Sequence, residues 1–174
     1  MSLILGIDPG SRRTGFGVIH HIGSTVEYIS SGVIRIPNVA LPERLNIIFD
    51  SLGEIIHKHS PQEMAIENVF MAKSAGSALK LGQARGAAIV TATHANVPVF
   101  EYEARKIKQS VVGTGAATKT QVLHMVKALL HLTGDPAEDA ADALAVALCH
   151  AHTQKTLLNL LGASAGKFRR GRLR

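Results

Sequence analysis

The chain has 174 residues, 46% of them hydrophobic and 18% charged, the proportions of one folded globular domain with a sizeable core. No apolar run reaches membrane length, no charged-then-apolar leader opens the chain, and Cys149 is the only cysteine. An intrachain disulfide and a cysteine zinc site are thereby excluded, and a reducing, cytoplasmic setting is expected. The formal net charge is +6, yet Lys167, Arg169, Arg170, Arg172 and Arg174 supply five of the positive charges, leaving 14 basic against 13 acidic residues in 1–166. Any nucleic-acid contact must therefore come from local patches and from the tail.

In chain order, Leu3 to Ile7 is an apolar run that ends on Asp8 and breaks into Pro9-Gly10-Ser11, which reads as a buried strand stopping at a turn. Gly15 to Ile19 and Thr25 to Ile36 read as two more strands, joined by short Gly-containing connections into an antiparallel meander. The period then changes. Leu45, Ile48, Phe49, Leu52, Ile55 and Ile56 predict an amphipathic helix over Leu41–His59, with Pro42 tolerated in its first turn.

Glu63 to Glu67 predicts a fourth strand, again ending on an acid. An Ala- and Gly-rich helix is expected over Ser74–His94, a fifth strand over Val97–Tyr102, and helices over Ala104–Val112, Lys119–Leu132 and Glu138–His152. The nine histidines are scattered and read as surface or packing residues. The pattern predicts an α/β fold: a mixed five-stranded sheet, three antiparallel then two parallel strands, flanked by helices. Residues 1–153 are expected to form this domain and 154–174 a basic, mobile C-terminal tail.

Parallel crossovers place ligand sites at strand carboxyl ends, where Asp8 and Glu67 both fall. Asp139 and Asp142 are spaced i, i+3 and share one helix face, while Ala141, Leu144, Ala145 and Leu148 offer an apolar face to the sheet. A cluster of these four acids is costly. Two unit charges about 4 Å apart repel by about 4 kcal/mol at an effective dielectric near 20. Protonation or a cation must relieve them. All-oxygen donors favour Mg²⁺, with Mn²⁺ a substitute, and two such ions support phosphodiester hydrolysis. For Asp139 alone, a favourable place at a helix N-terminus explains the residue equally well.

Gly6-Ile7-Asp8-Pro9-Gly10-Ser11 opening a three-strand meander resembles the ribonuclease H-like nucleases. Ile66-Glu67-Asn68-Val69-Phe70-Met71-Ala72-Lys73, Ser77-Ala78-Leu79-Lys80-Leu81-Gly82-Gln83-Ala84-Arg85-Gly86, Lys108-Gln109-Ser110-Val111-Val112-Gly113 and Asp139-Ala140-Ala141-Asp142-Ala143-Leu144-Ala145 are together similar to the RuvC family of bacterial Holliday junction resolvases. The resemblance covers Leu3 to about His152. It implies a homodimeric, Mg²⁺-dependent crossover junction endodeoxyribonuclease that nicks two strands of like polarity in a four-way DNA junction during recombination and repair. It also implies that Asp8, Glu67, Asp139 and Asp142 are catalytic metal ligands, with two ions per site once DNA is bound. A branch-migration helicase of the RuvA and RuvB type is the implied partner, and no membrane is involved.

The resemblance places Lys108 and Lys119 beside the acids, where ammonium groups would hold a phosphate; read alone, each is equally a solvated surface lysine. Phe70 is either a loop anchor or an aromatic that stacks on an unpaired base. Lys73, Lys80 and Arg85 are further candidates for DNA contact. Gly82 and Gly86 leave a small-residue groove on their helix, suited to a partner helix in a dimer or to packing on its own sheet. Gly113 and Thr118-Lys119-Thr120 only brush against a phosphate-loop pattern, since no strand precedes them and the second glycine is missing. Competing readings are an actin-like ATPase, which needs a second domain, a junction binder without catalysis, and a nuclease of this fold acting on RNA.

Overall fold

The computed structural model describes residues 1–68 and 74–168. Five strands, β1 (Ser2–Asp8), β2 (Arg13–Ile22), β3 (Thr25–Arg35), β4 (Glu63–Asn68) and β5 (Val99–Glu103), form one sheet in the order β3-β2-β1-β4-β5. β1 pairs antiparallel with β2, and β2 with β3, while β4 runs parallel to both β1 and β5. Central β1 is covered on both faces, which is why it reads as a continuous apolar run. Edge strand β3 has one buried residue, Ile34.

Helices α1 (Leu41–His59) and α2 (Ala75–His94) cover one face; α3 (Ala104–Val112), α4 (Lys119–Leu129) and α5 (Glu138–Phe168) cover the other. The two-residue period of each strand sorts its side chains between the faces. Leu5 and Ile7 of β1 and Met64 and Ile66 of β4 join the core under α1 and α2. Ile4 and Ala65 join the core under α5. Gly6 and Asp8 share a face with Ile4, as Glu63 and Glu67 do with Ala65, so both strand-end acids are directed to the α5 side.

Helix α5 lies close on the sheet because glycines leave it room. A Cβ on Gly6 would stand 2.1 Å from the Ala143 carbonyl oxygen, and one on Gly15 would stand 1.9 Å from that of Asp139. The α5 backbone therefore rests on β1 and β2 with nothing between.

Two turns beyond Asp142, α5 is fastened by a buried polar link. His150 Nδ1 accepts from the Tyr102 hydroxyl at 2.7 Å, and its Nε2–H donates to Glu63 Oε2 at 3.2 Å. Gln154 Nε2 donates to Glu63 Oε1 at 2.6 Å, and the Phe100 ring lies 4.5 Å from the imidazole. Burial pushes the His150 ring below its ordinary pKa, against the opposing pull of Glu63, so the neutral tautomer with hydrogen on Nε2 is the one that fits. His150→Phe would leave Glu63 and Tyr102 short of partners; a loss of about 2–3 kcal/mol is expected in urea unfolding at pH 7.

Helices α1 and α3 span the expected residues. Helix α4 ends at Leu129, before the expected Leu132, because His131 takes a positive φ of 52°. Strand β5 starts at Val99, since a turn through Asn96 (φ 57°) precedes it. Helix α5 continues from the expected end at His152 to Phe168. Leu157, Leu160 and Leu161 still recur there at three- and four-residue steps, a helical period that the expected boundary cuts short.

Candidate active site

Ile7 pairs with Ile66, so Asp8 and Glu67 follow side by side on the parallel strands at their carboxyl ends. The turn after Asp8 is closed by buried Thr14, whose hydroxyl donates to the Gly10 carbonyl at 3.1 Å, and by Arg44, which donates to the Ser11 carbonyl. Asp8 also pairs with Gly15, and Gly15 supports the Asp139 carbonyl. Two backbone contacts thus bring the first turn of α5 over the end of β1.

Across from the acids, α3 stops at Gly113, in the left-handed region at φ 89°, and α4 begins with a reciprocal cap. Gln121 N–H donates to Thr118 Oγ1 at 3.3 Å, and Thr118 N–H donates to Gln121 Oε1 at 2.8 Å. The cap sets Lys119 as the first residue of α4. The result is a cleft of about 290 Å³ lined by Asp8, Glu67, Asp142, Lys108 and Lys119, floored by Ala104, Ile107, Val122 and Ala145.

Its electrostatics match its composition. Burial first, then the charges of Glu67, Asp142 and Asp139, push the Asp8 carboxyl up to about 8, with Lys119 opposing. Glu67 is also raised, by burial and then by Asp142, against Lys119 and Lys108. Lys119 is held above the ordinary lysine range, chiefly by its hydrogen bond to Glu138 and then by Asp142. Its Nζ donates to Glu138 Oε1 at 2.5 Å and to Asp142 Oδ2 at 3.2 Å. The Arg13 guanidinium lies 3.9 Å from Asp139 Oδ2.

The cleft lining offers carboxylate oxygens and neither thiolate nor imidazole, a donor set suited to a hard divalent cation. The raised Asp8 pKa marks a charge deficit that such a cation would fill. As they stand, no three of the described carboxylate, histidine and cysteine side chains are arranged to hold an ion. Asp142 and Asp139 each lie towards a cation of the protein itself, Lys119 and Arg13.

Of the other sequence candidates, Lys80 is exposed beside the loop after Asp8, near Ser11 and Arg44. Arg85 donates to Glu101 on β5, so its charge is engaged within the fold. Added Cβ atoms at Gly82 and Gly86 would meet nothing within 4 Å, so both positions face away from their own sheet. Phe70, Lys73 and residues 169–174 lie outside the described residues. Neither Arg13, which precedes the expected strand Gly15 to Ile19, nor the contact of Glu138 with Lys119, 19 positions away, carries a signal in the sequence.

A family model described as "Crossover junction endodeoxyribonuclease RuvC" matches residues 4–150. The crossover junction endodeoxyribonuclease RuvC of Teredinibacter turnerae is 64% identical over 177 residues, covering 99% of each chain, and that of Saccharophagus degradans is 64% identical over 174 residues, again covering 99% of each. Among solved structures, Thermus thermophilus RuvC in complex with a Holliday junction substrate superimposes with a TM-score of 0.85 at 34% identity, over 90% of this chain and 96% of that one. The yeast mitochondrial Holliday junction resolvase Ydc2 shares the fold at 10% identity with a TM-score of 0.67, over 95% of this chain and 85% of that one. A match over most of the length, with relatives of this identity, places the chain in the RuvC family of crossover junction endodeoxyribonucleases.

Proposed function

We propose that the cleft of Asp8, Glu67 and Asp142, with Asp139 beside it on the first turn of α5, is the cutting site of a Holliday junction resolvase, an endonuclease of DNA recombination and repair. The supporting observation is the convergence of Asp8, Glu67 and Asp142 with Lys108 and Lys119 on one cleft, in a chain that the RuvC family model spans. The four carboxylates would hold Mg²⁺, or Mn²⁺ in its place, two ions per site with DNA bound. The ions would supply a water of lowered pKa and neutralise charge on the leaving oxygen.

The chain's own groups do the rest. Lys108 and Lys119 face the acids and meet the scissile phosphate. Ile107, Val122 and Ala145 keep bulk water from the floor. Phe70, with Lys73, would meet unpaired bases and phosphates near the cut, and Lys80 would add a contact along the arms.

A four-way junction has two equivalent strands, which a two-fold dimer would meet with two sites. Leu79 and Val90, 65% and 57% exposed, stand with Gly82 and Gly86 on one outward stripe of α2, an apolar face suited to its own copy. The basic end of 154–174 would add backbone contact, and a RuvA- and RuvB-type helicase complex is the expected partner on the junction. Among the described residues no helix is long and apolar enough to cross a membrane, and a cytoplasmic location is proposed.

Incubation with labelled four-way junction, linear duplex and RNA–DNA hybrid, each with Mg²⁺ and with chelator, tests the reading. Paired symmetric nicks in the junction alone, and only with metal, are expected. Equal cutting of the hybrid would overturn it. Junction affinity should also fall steeply with salt, through counterion release.

A further inference from the structure

Lys119 and Asp142 form the ridge between two hollows. One is the acid cleft; the other, about 250 Å³, is lined by Thr120, Pro136 and Glu138 as well as by the ridge itself. The Lys119 ammonium is closer to Glu138, at 2.5 Å, than to Asp142, at 3.2 Å, so its nearer partner is the carboxylate on the outer side. An ammonium on Asp142 competes with any divalent cation for the same oxygens, and the two cations repel each other.

We propose that Glu138 is a positioning residue that draws the Lys119 ammonium outward, off Asp142, and so leaves the Asp142 carboxylate free to take a divalent cation. The inference rests on the reading of the cleft as a metal site. Glu138 need touch neither metal nor DNA. It supplies a second seat for a cation that would otherwise settle in the metal's place. The side chains of Lys119 and Glu138 are 67% and 70% exposed, so exchanging either leaves the core untouched.

The test is Mn²⁺ binding to the full chain without DNA, followed by the electron paramagnetic resonance signal of free Mn²⁺ at fixed ionic strength. Wild type, Glu138→Gln, Lys119→Met and the double variant are compared. Glu138→Gln is expected to weaken binding about twofold to fivefold, the range of an exposed ion pair, and the double variant to bind as Lys119→Met does. In junction cleavage, Glu138→Gln should raise the half-saturating Mg²⁺ by the same factor and leave kcat at saturating Mg²⁺ unchanged. Unaltered Mn²⁺ binding in Glu138→Gln overturns the proposal. So does an equal weakening in the Lys119→Met background, which would mean that Glu138 attracts metal by its own charge. Absence of Mn²⁺ binding by the wild type is a different failure: it defeats the metal-site reading, and this proposal with it.

Discussion

Asp8→Asn is expected to abolish junction cleavage and, in the same molecule, to make the metal-free protein harder to unfold. Asp8 stands at the end of the central strand with its carboxyl pushed up to about 8 by burial and by Glu67, Asp142 and Asp139. An amide there binds a divalent cation poorly, so cutting should fall by at least about 10³-fold, equivalent to several kcal/mol of lost charge stabilisation. Junction binding should persist, since phosphates and shape supply the affinity.

The stability effect has the opposite sign. Between the ordinary value of 3.8 and about 8, the folded chain holds a proton on Asp8 that the unfolded chain has released. Stability from this group is therefore full at the acid end, declines as pH rises through that window, and is flat above it. The asparagine variant lacks the decline. After about 1–3 kcal/mol for burying the amide, a net gain of about 3 kcal/mol is expected above pH 8 without metal, about 8 °C in Tm for a chain of this length. Thermal unfolding against pH in chelator gives the comparison. Parallel Tm curves for the two proteins would refute the charge-crowding account. Added Mg²⁺ should raise the Tm of the wild type much more than that of the variant.

The second large effect concerns glycines. Gly6→Ala would drive a methyl group to 2.1 Å from the Ala143 carbonyl and 2.8 Å from the Ala147 Cβ. Both obstacles belong to α5 and neither is the end of a flexible side chain, so the helix must lift or the strand must bend. Overpacking of this kind exceeds the usual 1–3 kcal/mol, and a loss of about 4 kcal/mol or failure to fold is expected. Gly15→Ala, with its Cβ 1.9 Å from the Asp139 carbonyl, should also displace the first turn of α5 and reduce cleavage in whatever protein folds. Gly53, inside α1, provides the contrast: its added Cβ would meet only the Thr91 Cγ2 at 3.9 Å. Gly53→Ala should stabilise by about 0.5–1 kcal/mol. Urea midpoints falling in the order Gly53→Ala, wild type, Gly6→Ala are the expected result. A Gly6→Ala protein as stable as the wild type would show that α5 does not sit on β1 as described.

The strand-end acids were legible because a two-residue period is a local property: once Ile7 is assigned to the core, Asp8 and Gly6 must share the other face. Helix α1 was legible to the residue, its apolar spacing and Pro42 both being local signals. The full length of α5 was not: Leu157, Leu160 and Leu161 keep a helical period beyond His152, but the basic residues that follow make the stretch read as a tail. Neither was the role of Gly6 and Gly15, because a glycine within a strand announces close approach without naming what approaches. His150, one of nine histidines read as surface or packing residues, is buried, and its partners Tyr102 and Glu63 stand 48 and 87 positions away. Arg13 beside Asp139, and Glu138 beside Lys119, likewise arise only when β2, α4 and α5 are brought together.

The contact of α5 with bare strand backbone makes the two jaws of the cleft unequal. The acid-bearing jaw has no slack, because carbonyl and strand already touch. The lysine-bearing jaw is held by side chains instead, with Ile107 and Val111 of α3 and Val122 and Val126 of α4 buried in the core beneath α5. Side-chain packing yields more readily than backbone resting on backbone, so a change in that core is expected to shift the lysines first, against carboxylates that serve as a fixed anvil.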